Sequence, residues 1–306
     1  MSDSTASPPA RAAATVRPEL CIWDTVSETY GSVFIENLRL LPRAALVPAL
    51  LLIALSFLLQ ALGLYSDPND FQDSGEAAFD QALASLPSVL ASVVLALPTI
   101  VFAVAWIRLT LLGPETAPPP LQPQWSSAHW RVLGYGALAS LVSLAVFVVG
   151  SVVVTMTAFV ISLVGRAPLI SLLVIAIAFA GVLAVVAFST AAGLRLLLPI
   201  PALLVGQQQS VKTLWQKSRG YSFALVVAFL LVSLPLLAIG FAPLFLAGDG
   251  LAVLSGEVPV PVFYDPAGPY FPLLVLWNTV QVLVWTAVFA AFIAIVYRSL
   301  IEGQNS

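Results

Sequence analysis

The stretch SLLVIAIAFAGVLAVVAFSTAAG, residues 171–193, decides the fold class of this chain. It carries no charge, and an α-helix needs about 20 apolar residues to cross a hydrocarbon layer of about 30 Å. Strands of a membrane barrel alternate apolar and polar residues with a period of two, whereas this run is apolar on every side. Because backbone groups in lipid must pair within their own segment, the run predicts a transmembrane helix.

The composition of the whole chain agrees with this prediction. Of its 306 residues, 60% are hydrophobic and 9% are charged, whereas soluble domains carry about 25% charged residues. A charged fraction of 9% is too small for the surface of a protein that faces water on all sides. The sequence therefore predicts an all-α, polytopic integral membrane protein.

Six runs have the length and composition of membrane-spanning helices. The third is long for a bilayer, so we expect it to tilt, to break near Gly150 or to project beyond the membrane. Pro199 and Pro201 are expected to end the fourth, because proline interrupts a helix. We predict spans at residues 44–65, 88–111, 133–164, 169–197, 221–246 and 271–297.

An amphipathic segment precedes the first span, at residues 25–41. Thr25 and Glu28 match a capping box, and apolar residues at helical spacing form a stripe opposite charged ones. The stripe consists of Val26, Tyr30, Val33, Phe34 and Leu41. This pattern predicts an interfacial helix that leads into the membrane domain.

A second amphipathic segment lies between spans four and five, at residues 210–219. Ser210 is a favourable N-cap and Gly220 a favourable C-terminal stop. A narrow stripe of Val211, Leu214, Trp215 and Ser218 lies between them. The predicted organisation is a disordered tail (1–18), an amphipathic helix (19–42), a six-helix membrane domain (43–299) that includes the interfacial helix at 210–219, and a short tail (300–306).

Positive charge is distributed unevenly along the chain. If the N-terminus is cytoplasmic, every Lys and Arg except Arg166 falls in a cytoplasmic segment. The outer segments are acidic instead, with Asp67, Asp70, Asp73, Glu76 and Asp80 in the first and Asp249, Glu257 and Asp265 in the third. Because Lys and Arg in short loops set orientation, the sequence predicts a multi-pass protein with both termini in the cytoplasm.

Four cations lie close together in sequence: Arg195, Lys212, Lys217 and Arg219. One interpretation is a connecting elbow, whose charge follows from its cytoplasmic location. The other is a surface that contacts anionic lipid or docks a partner, since basic residues near a membrane attract anionic headgroups. In the second interpretation Arg195 would bind a lipid phosphate or fix the helix break at Pro199–Pro201. In the first it would be an anchor whose long side chain reaches the membrane surface.

The layout resembles a known bacterial group. The residues that carry the resemblance are IENLRLLP (35–42), Arg195 leading to the Pro-x-Pro at Pro199 and Pro201, and TLWQKSRG (213–220). Over about 20–300 the chain resembles proteins grouped with the membrane domain of glycerophosphoryl diester phosphodiesterases and the related YciC-like proteins. Where those proteins are phosphodiesterases, a separate soluble domain carries the chemistry, and we expect none here. The resemblance implies a six-helix inner-membrane module without enzymatic activity.

Residues that perform hydrolysis are scarce. The chain has one histidine and one cysteine, and we expect the histidine, His129, to be an interfacial side chain between Trp125, Trp130 and Arg131. The acids of the first outer segment lack the spacing of a calcium loop. No Asp, Glu, Lys or His lies inside a predicted span, whereas coupled transporters use such groups. The sequence predicts no enzymatic activity, no cofactor and no metal site.

Asn278 and Gln281 share one face of the sixth span. Such side chains form hydrogen bonds with neighbouring helices more often than they line a transport path.

The main hypothesis is a non-enzymatic bacterial inner-membrane protein with a structural, lipid-interacting or partner-binding role. Its partners would be membrane lipids, a membrane protein or a second copy of the chain, and no nucleic acid. The alternative is an uncoupled transporter or channel for a neutral or hydrophobic solute, in which prolines of spans one, two, five and six break the helices.

Overall fold

The computed structural model describes residues 20–62, 86–116, 125–164, 168–207, 209–246 and 271–302. Within these ranges the chain is helical and forms no strand, and six helices are long and apolar enough to cross a membrane. The prediction of an all-α, multi-pass membrane protein is confirmed. The helices are α1 (Ile22–Gly31), α2 (Leu41–Ala61), α3 (Leu86–Leu112), α4 (Ser127–Val164), α5 (Pro168–Leu197), α6 (Pro199–Leu204), α7 (Val211–Ser218), α8 (Ser222–Leu246) and α9 (Phe271–Glu302).

Several sequence predictions fall outside the described residues. They concern the tail at 1–18, most of the acidic first outer segment, the acidic third outer segment, Arg166 and the last residues of the chain. These predictions stay predictions.

The membrane-crossing helices are continuous through their internal prolines. Pro48 lies inside α2 and Pro98 inside α3, and α8 likewise runs past Pro235. A break occurs instead where α5 ends and α6 begins with Pro199, as the Pro-x-Pro sequence predicts. The helix breaks expected at the prolines of spans one, two and five are therefore not found.

The last helix, α9, forms the centre of the bundle. In its most hydrophobic 18-residue stretch 61% is buried, compared with 6% in α4. Small side chains let neighbouring helices approach closely, and α9 buries Ala287, Ala290, Ala291 and Ala294 against its neighbours. It packs against α2 and α3 on one side and against α1 and α8 on the other.

The pair formed by α4 and α5 packs closely along its length. The Ser143 hydroxyl donates to the Ser189 carbonyl oxygen at 3.1 Å, and the Ser189 hydroxyl donates to the Ser143 carbonyl oxygen at 2.7 Å. Farther along the pair, Gly150 faces Val185, so closely that an added Cβ would lie 2.6 Å from a valine methyl. Because α4 runs uninterrupted through Gly150, the expectation of a break there is wrong.

The N-terminal amphipathic segment is docked on the bundle. Helix α1 packs against α8 and α9, and the Tyr30 hydroxyl donates to the Val232 carbonyl oxygen at 2.7 Å. Burial raises the pKa of this phenol, so it stays a neutral donor. Glu28 forms an ion pair with Arg298 at the end of α9. Most of the predicted stripe therefore faces the protein, whereas Phe34 is exposed and stacks on Tyr30.

The start of α1 differs from the predicted capping box. The helix begins at Ile22, and the Thr25 hydroxyl donates to the Cys21 carbonyl oxygen at 2.9 Å. Thr25 is thus an interior residue and not the N-cap. The segment also bends before α2, because a π-helical turn at Ser32–Glu36 ends at Asn37, whose amide donates to the Ser32 carbonyl oxygen at 2.9 Å.

Candidate functional site

Basic side chains gather at one end of the bundle, which we call the basic end. They lie near the starts of α2 and α4, at the α7–α8 junction, and near the ends of α3, α5 and α9. Successive membrane-crossing helices run in opposite directions, so all these positions share one end. The residues are Arg39, Arg43, Arg108, Arg131, Arg195, Lys212, Lys217, Arg219 and Arg298.

Helix α7 presents one face to the protein and another to its surroundings. The Ser210 hydroxyl accepts from the Thr213 backbone N–H at 3.1 Å, which confirms the predicted N-cap. Leu214 and Ser218 are completely buried, whereas Lys212 is exposed. Of the four stripe residues, Leu214 and Ser218 are buried against the protein, and Val211 and Trp215 are half-buried.

Helix α7 ends at Ser218, within one residue of the predicted end, but Gly220 does not stop it in a left-handed conformation. After α7 the chain makes a 3-10 turn at Arg219–Tyr221 and enters α8 directly at Ser222. Among the described glycines, Gly113 and Gly206 have positive φ angles and Gly220 does not. A left-handed residue would have reversed the chain, whereas here α7 leads into α8 through one tight turn.

Arg195 joins the end of α5 to this junction. Its Nη2 atom donates to the carbonyl oxygens of Ser218 at 3.1 Å and Arg219 at 3.0 Å, and it also contacts the Ser222 hydroxyl. The guanidinium carbon lies 5.1 Å from the centre of the Trp215 ring, within the range of a cation–π contact. The last carbonyls of a helix lack partners inside it and favour a cation. Arg195 therefore fastens α7 and α8 to α5.

The other three predicted cations have no such partners. Lys212, Lys217 and Arg219 form no ion pair with a described carboxylate, since Glu28 and Arg298 make the ion pair found in the described part of the chain. Lys212 and Arg219 are exposed and Lys217 is half-buried. We call these three residues the α7 surface. Of the four residues predicted to contact anionic lipid, Arg195 has an internal structural role and the α7 surface remains available.

Exposed aromatic and aliphatic side chains accompany the cations at the basic end. Trp23 of α1 is 70% exposed and Trp130 of α4 is 61% exposed. Ile35, next to the bend between α1 and α2, is 82% exposed. Tryptophan favours the interface between hydrocarbon and water, so this end has the apolar and the basic groups that headgroup contact requires.

The short helix α6, which connects α5 to the segment before α7, is packed into the bundle. Ile200, Ala202 and Leu204 are buried, and α6 packs against α3, α4 and α9. Beyond it the Tyr297 hydroxyl donates to the Gln207 side-chain oxygen at 2.6 Å. The connection from α5 to α7 is thus anchored at both ends, by Arg195 and by Gln207.

His129 is buried at the start of α4, where it contacts neighbouring side-chain and backbone groups. It is 5% exposed, its Nδ1 accepts from the Ser126 backbone N–H at 3.0 Å, and the Trp125 ring stacks on it with 5.1 Å between ring centres. The expectation of an interfacial position before the third span is wrong in one respect, because His129 lies within α4 and is buried. The described residues contain no cluster of three His, Cys, Asp or Glu side chains that could hold a metal.

The two amides of the sixth span have different surroundings. The Gln281 side chain lies against Gly240 of α8, whose missing Cβ leaves room for it. Asn278 lines a cavity between α2, α3 and α9 and forms no hydrogen bond with the described residues. Gln281 therefore packs against a neighbouring helix, whereas the predicted interhelical hydrogen bonds of Asn278 and Gln281 are not seen among the described residues and stay a prediction.

Comparison of the chain with protein-family models, with curated proteins and with solved structures yields no match in any of the three. The resemblance to the phosphodiesterase membrane domain stays a prediction.

Sequence reasoning missed Trp215 as the stacking partner of Arg195 and Tyr30 as the donor to α8. A local sequence pattern does not reveal either contact, because each one joins two separate helices through backbone or ring atoms.

Proposed function

We propose that the chain is a bacterial inner-membrane protein that acts without catalysis, as a lipid-interacting module whose basic end faces the cytoplasm. The observation that supports this proposal is the α7 surface. Lys212, Lys217 and Arg219 lie on α7 and in the turn that follows it, without carboxylate partners among the described residues, and Arg195 fixes this junction to the bundle. A partner protein with an acidic surface would use the same three cations.

The expected strength of lipid contact follows from the charge. Each basic residue near a membrane surface contributes about 1 kcal/mol of attraction to anionic lipid, so three cations contribute about 3 kcal/mol. Because about 1.4 kcal/mol is a tenfold change in an equilibrium constant, this corresponds to a preference of about 100-fold at low salt. Surface charges are screened by salt, so the preference is expected to fall as ionic strength rises.

The orientation rests on the distribution of Lys and Arg. A reporter that is active in the cytoplasm, fused after Ser306, is expected to be active, because positively charged segments are retained on that side. A reporter that is active outside the membrane, fused at the same point, is expected to be silent. The reverse result would contradict the proposed topology.

The α7 surface is tested by lipid preference in bilayers. The full chain, which has seven tryptophans, is reconstituted in mixtures of phosphatidylcholine and brominated phosphatidylglycerol. The part of the fluorescence quenching that disappears in a Trp215→Phe background reports the lipid beside Trp215. We expect the unchanged chain to favour phosphatidylglycerol and the triple variant K212Q/K217Q/R219Q to lose about 10- to 100-fold of that preference.

A charge-matched control distinguishes a specific surface from general attraction. The variant R39Q/R43Q/R131Q removes three exposed cations from the same end but leaves α7 intact. We expect this variant to keep most of the phosphatidylglycerol preference that is measured beside Trp215. Equal losses in the two variants would contradict a specific role for α7, and absence of preference in the unchanged chain would contradict lipid binding.

A further inference from the structure

A second feature lies away from the basic end, toward the opposite end of the bundle. A cavity of about 390 Å³ lies between α2, α3 and α9. Its lining combines polar side chains (Ser56, Ser92, Thr99, Asn278 and Thr279) with apolar ones such as Leu52 and Leu95. Asn278 is exposed at its margin, so the cavity opens on the surface that faces lipid.

Three of the polar side chains have no hydrogen-bond partner in the part of the chain that the structure describes. Ser56, Asn278 and Thr279 form no hydrogen bond with the described residues, although Ser56 and Thr279 are 7% and 5% exposed. Other hydroxyls in the same helices are satisfied: Thr99 donates to the Ala96 carbonyl oxygen and Thr286 to the Val282 carbonyl oxygen. In the hydrocarbon region of a membrane an unpaired polar group carries a free-energy cost, so these three side chains around one cavity are favourable partners for the polar groups of an occupant.

The lining restricts the chemistry of the occupant. Among the described residues, no Asp, Glu, Lys, Arg or His lines the cavity, so this part of the lining offers no counter-ion to a charged group. An amide and hydroxyls instead match a neutral group that both donates and accepts hydrogen bonds. The volume lies within the range of small-molecule pockets, and the apolar lining suits the beginning of an acyl chain.

The depth of the cavity also fits a lipid. Asn278 is the eighth residue of α9, about 10 Å along the helix from its first residue. A helix of 32 residues spans about 48 Å and is longer than the hydrocarbon layer of about 30 Å. The cavity therefore lies near the boundary where hydroxyl and ester groups of lipids are found.

We propose that this cavity binds the hydroxyl- and ester-bearing head of a neutral lipid of the diacylglycerol type. Asn278 pairs with the free hydroxyl or an ester carbonyl, and Ser56 and Thr279 pair with the remaining oxygens. The acyl chains leave through the margin at Asn278. The inference does not depend on the α7 surface, which lies at the other end of the bundle.

The test uses the full chain in lipid nanodiscs with a photoactivatable diacylglycerol. We expect covalent labelling of α2, α3 or α9, competition by unlabelled diacylglycerol, and no competition by an alkane of the same chain length. The variant N278L/T279V is expected to reduce labelling at least fivefold. The control T157V also removes a threonine hydroxyl, but that hydroxyl donates within α4 to the Val153 carbonyl oxygen, so labelling is expected to stay unchanged.

Folding of the variants is checked by thermal unfolding and by the phosphatidylglycerol preference at the α7 surface, which the proposal leaves unaffected. If N278L/T279V does not fold, the smaller change Ser56→Ala on α2 is expected to lower labelling measurably. Labelling that is equal in the parent and in the cavity variants would overturn the proposal, and so would labelling that excess diacylglycerol does not displace. Loss of the α7 preference with labelling intact would contradict the proposed function and not this inference.

Discussion

Replacing Arg195 with Ala is expected to lower the free energy of unfolding by about 2–4 kcal/mol. Hydrogen bonds to a charged group contribute about 1.5–3 kcal/mol, and a cation–π contact contributes about 0.5–2 kcal/mol. The variant loses both kinds of contact, to the carbonyl oxygens of Ser218 and Arg219 and to the Trp215 ring. The last carbonyls of α7 are then left without their cation.

Thermal unfolding in detergent, followed by circular dichroism, measures this effect. Arg131→Ala is the matched control, because it removes an exposed arginine from the same end, and such surface changes usually stay within about 0.5 kcal/mol.

The variant Arg195→Lys separates geometry from charge. A lysine keeps the positive charge but lacks the flat guanidinium that stacks on the Trp215 ring while its Nη2 donates to two carbonyl oxygens. We therefore expect it to recover less than half of the loss. Full recovery with lysine, or a loss in Arg195→Ala no larger than in Arg131→Ala, would contradict the fastening role.

The six spans could be predicted from the sequence because the bilayer imposes a local constraint. A helix must be about 20 apolar residues long to cross it, and that property is contained within each segment. The buried stripe of α7 was predictable for the same reason, since Leu214 and Ser218 follow helical spacing and both are buried. Properties of one helix can be recognised without knowledge of its neighbours.

Contacts between distant helices could not be predicted in this way. Arg195 was expected to reach lipid or the following proline break, but its acceptors are backbone carbonyls of the α7–α8 junction, and every residue carries such a group. The cavity at Asn278 depends on how α2, α3 and α9 pack together. The sequence identified Asn278 as a notable polar residue, but not which helices surround it.

Gly150 illustrates the same limit. A break near Gly150 was one of three expected responses to the length of this span, beside a tilt and projection beyond the membrane. The structure gives a different reason for the glycine: α5 approaches α4 so closely that no Cβ fits beside Val185. In membrane helices small residues serve such close contacts, and only the position of the partner helix distinguishes the two roles.

Replacing Gly150 with Leu is accordingly expected to destabilise the α4–α5 pair by about 3 kcal/mol or more. An added Cβ would lie 2.6 and 2.8 Å from the two methyls of Val185, and overpacking of this kind costs about 1–3 kcal/mol even for small insertions. Gly136→Leu is the matched control on the same helix, since an added Cβ there meets nothing within 4 Å. We expect that control to be neutral or slightly stabilising, because leucine favours helix more than glycine does.

A compensating change tests the contact itself. Gly150→Ala is expected to cost about 1–3 kcal/mol, and Val185→Ala in the same chain should recover most of that loss, because it removes the methyls that the new Cβ meets. Thermal unfolding of the two single variants and the double variant gives their coupling energy, which for residues in contact is about 0.5–3 kcal/mol. A coupling near zero, or equal losses for Gly150→Leu and Gly136→Leu, would mean that the glycine acts through the flexibility of α4 alone. A large coupling would mean that Gly150 holds α4 and α5 together.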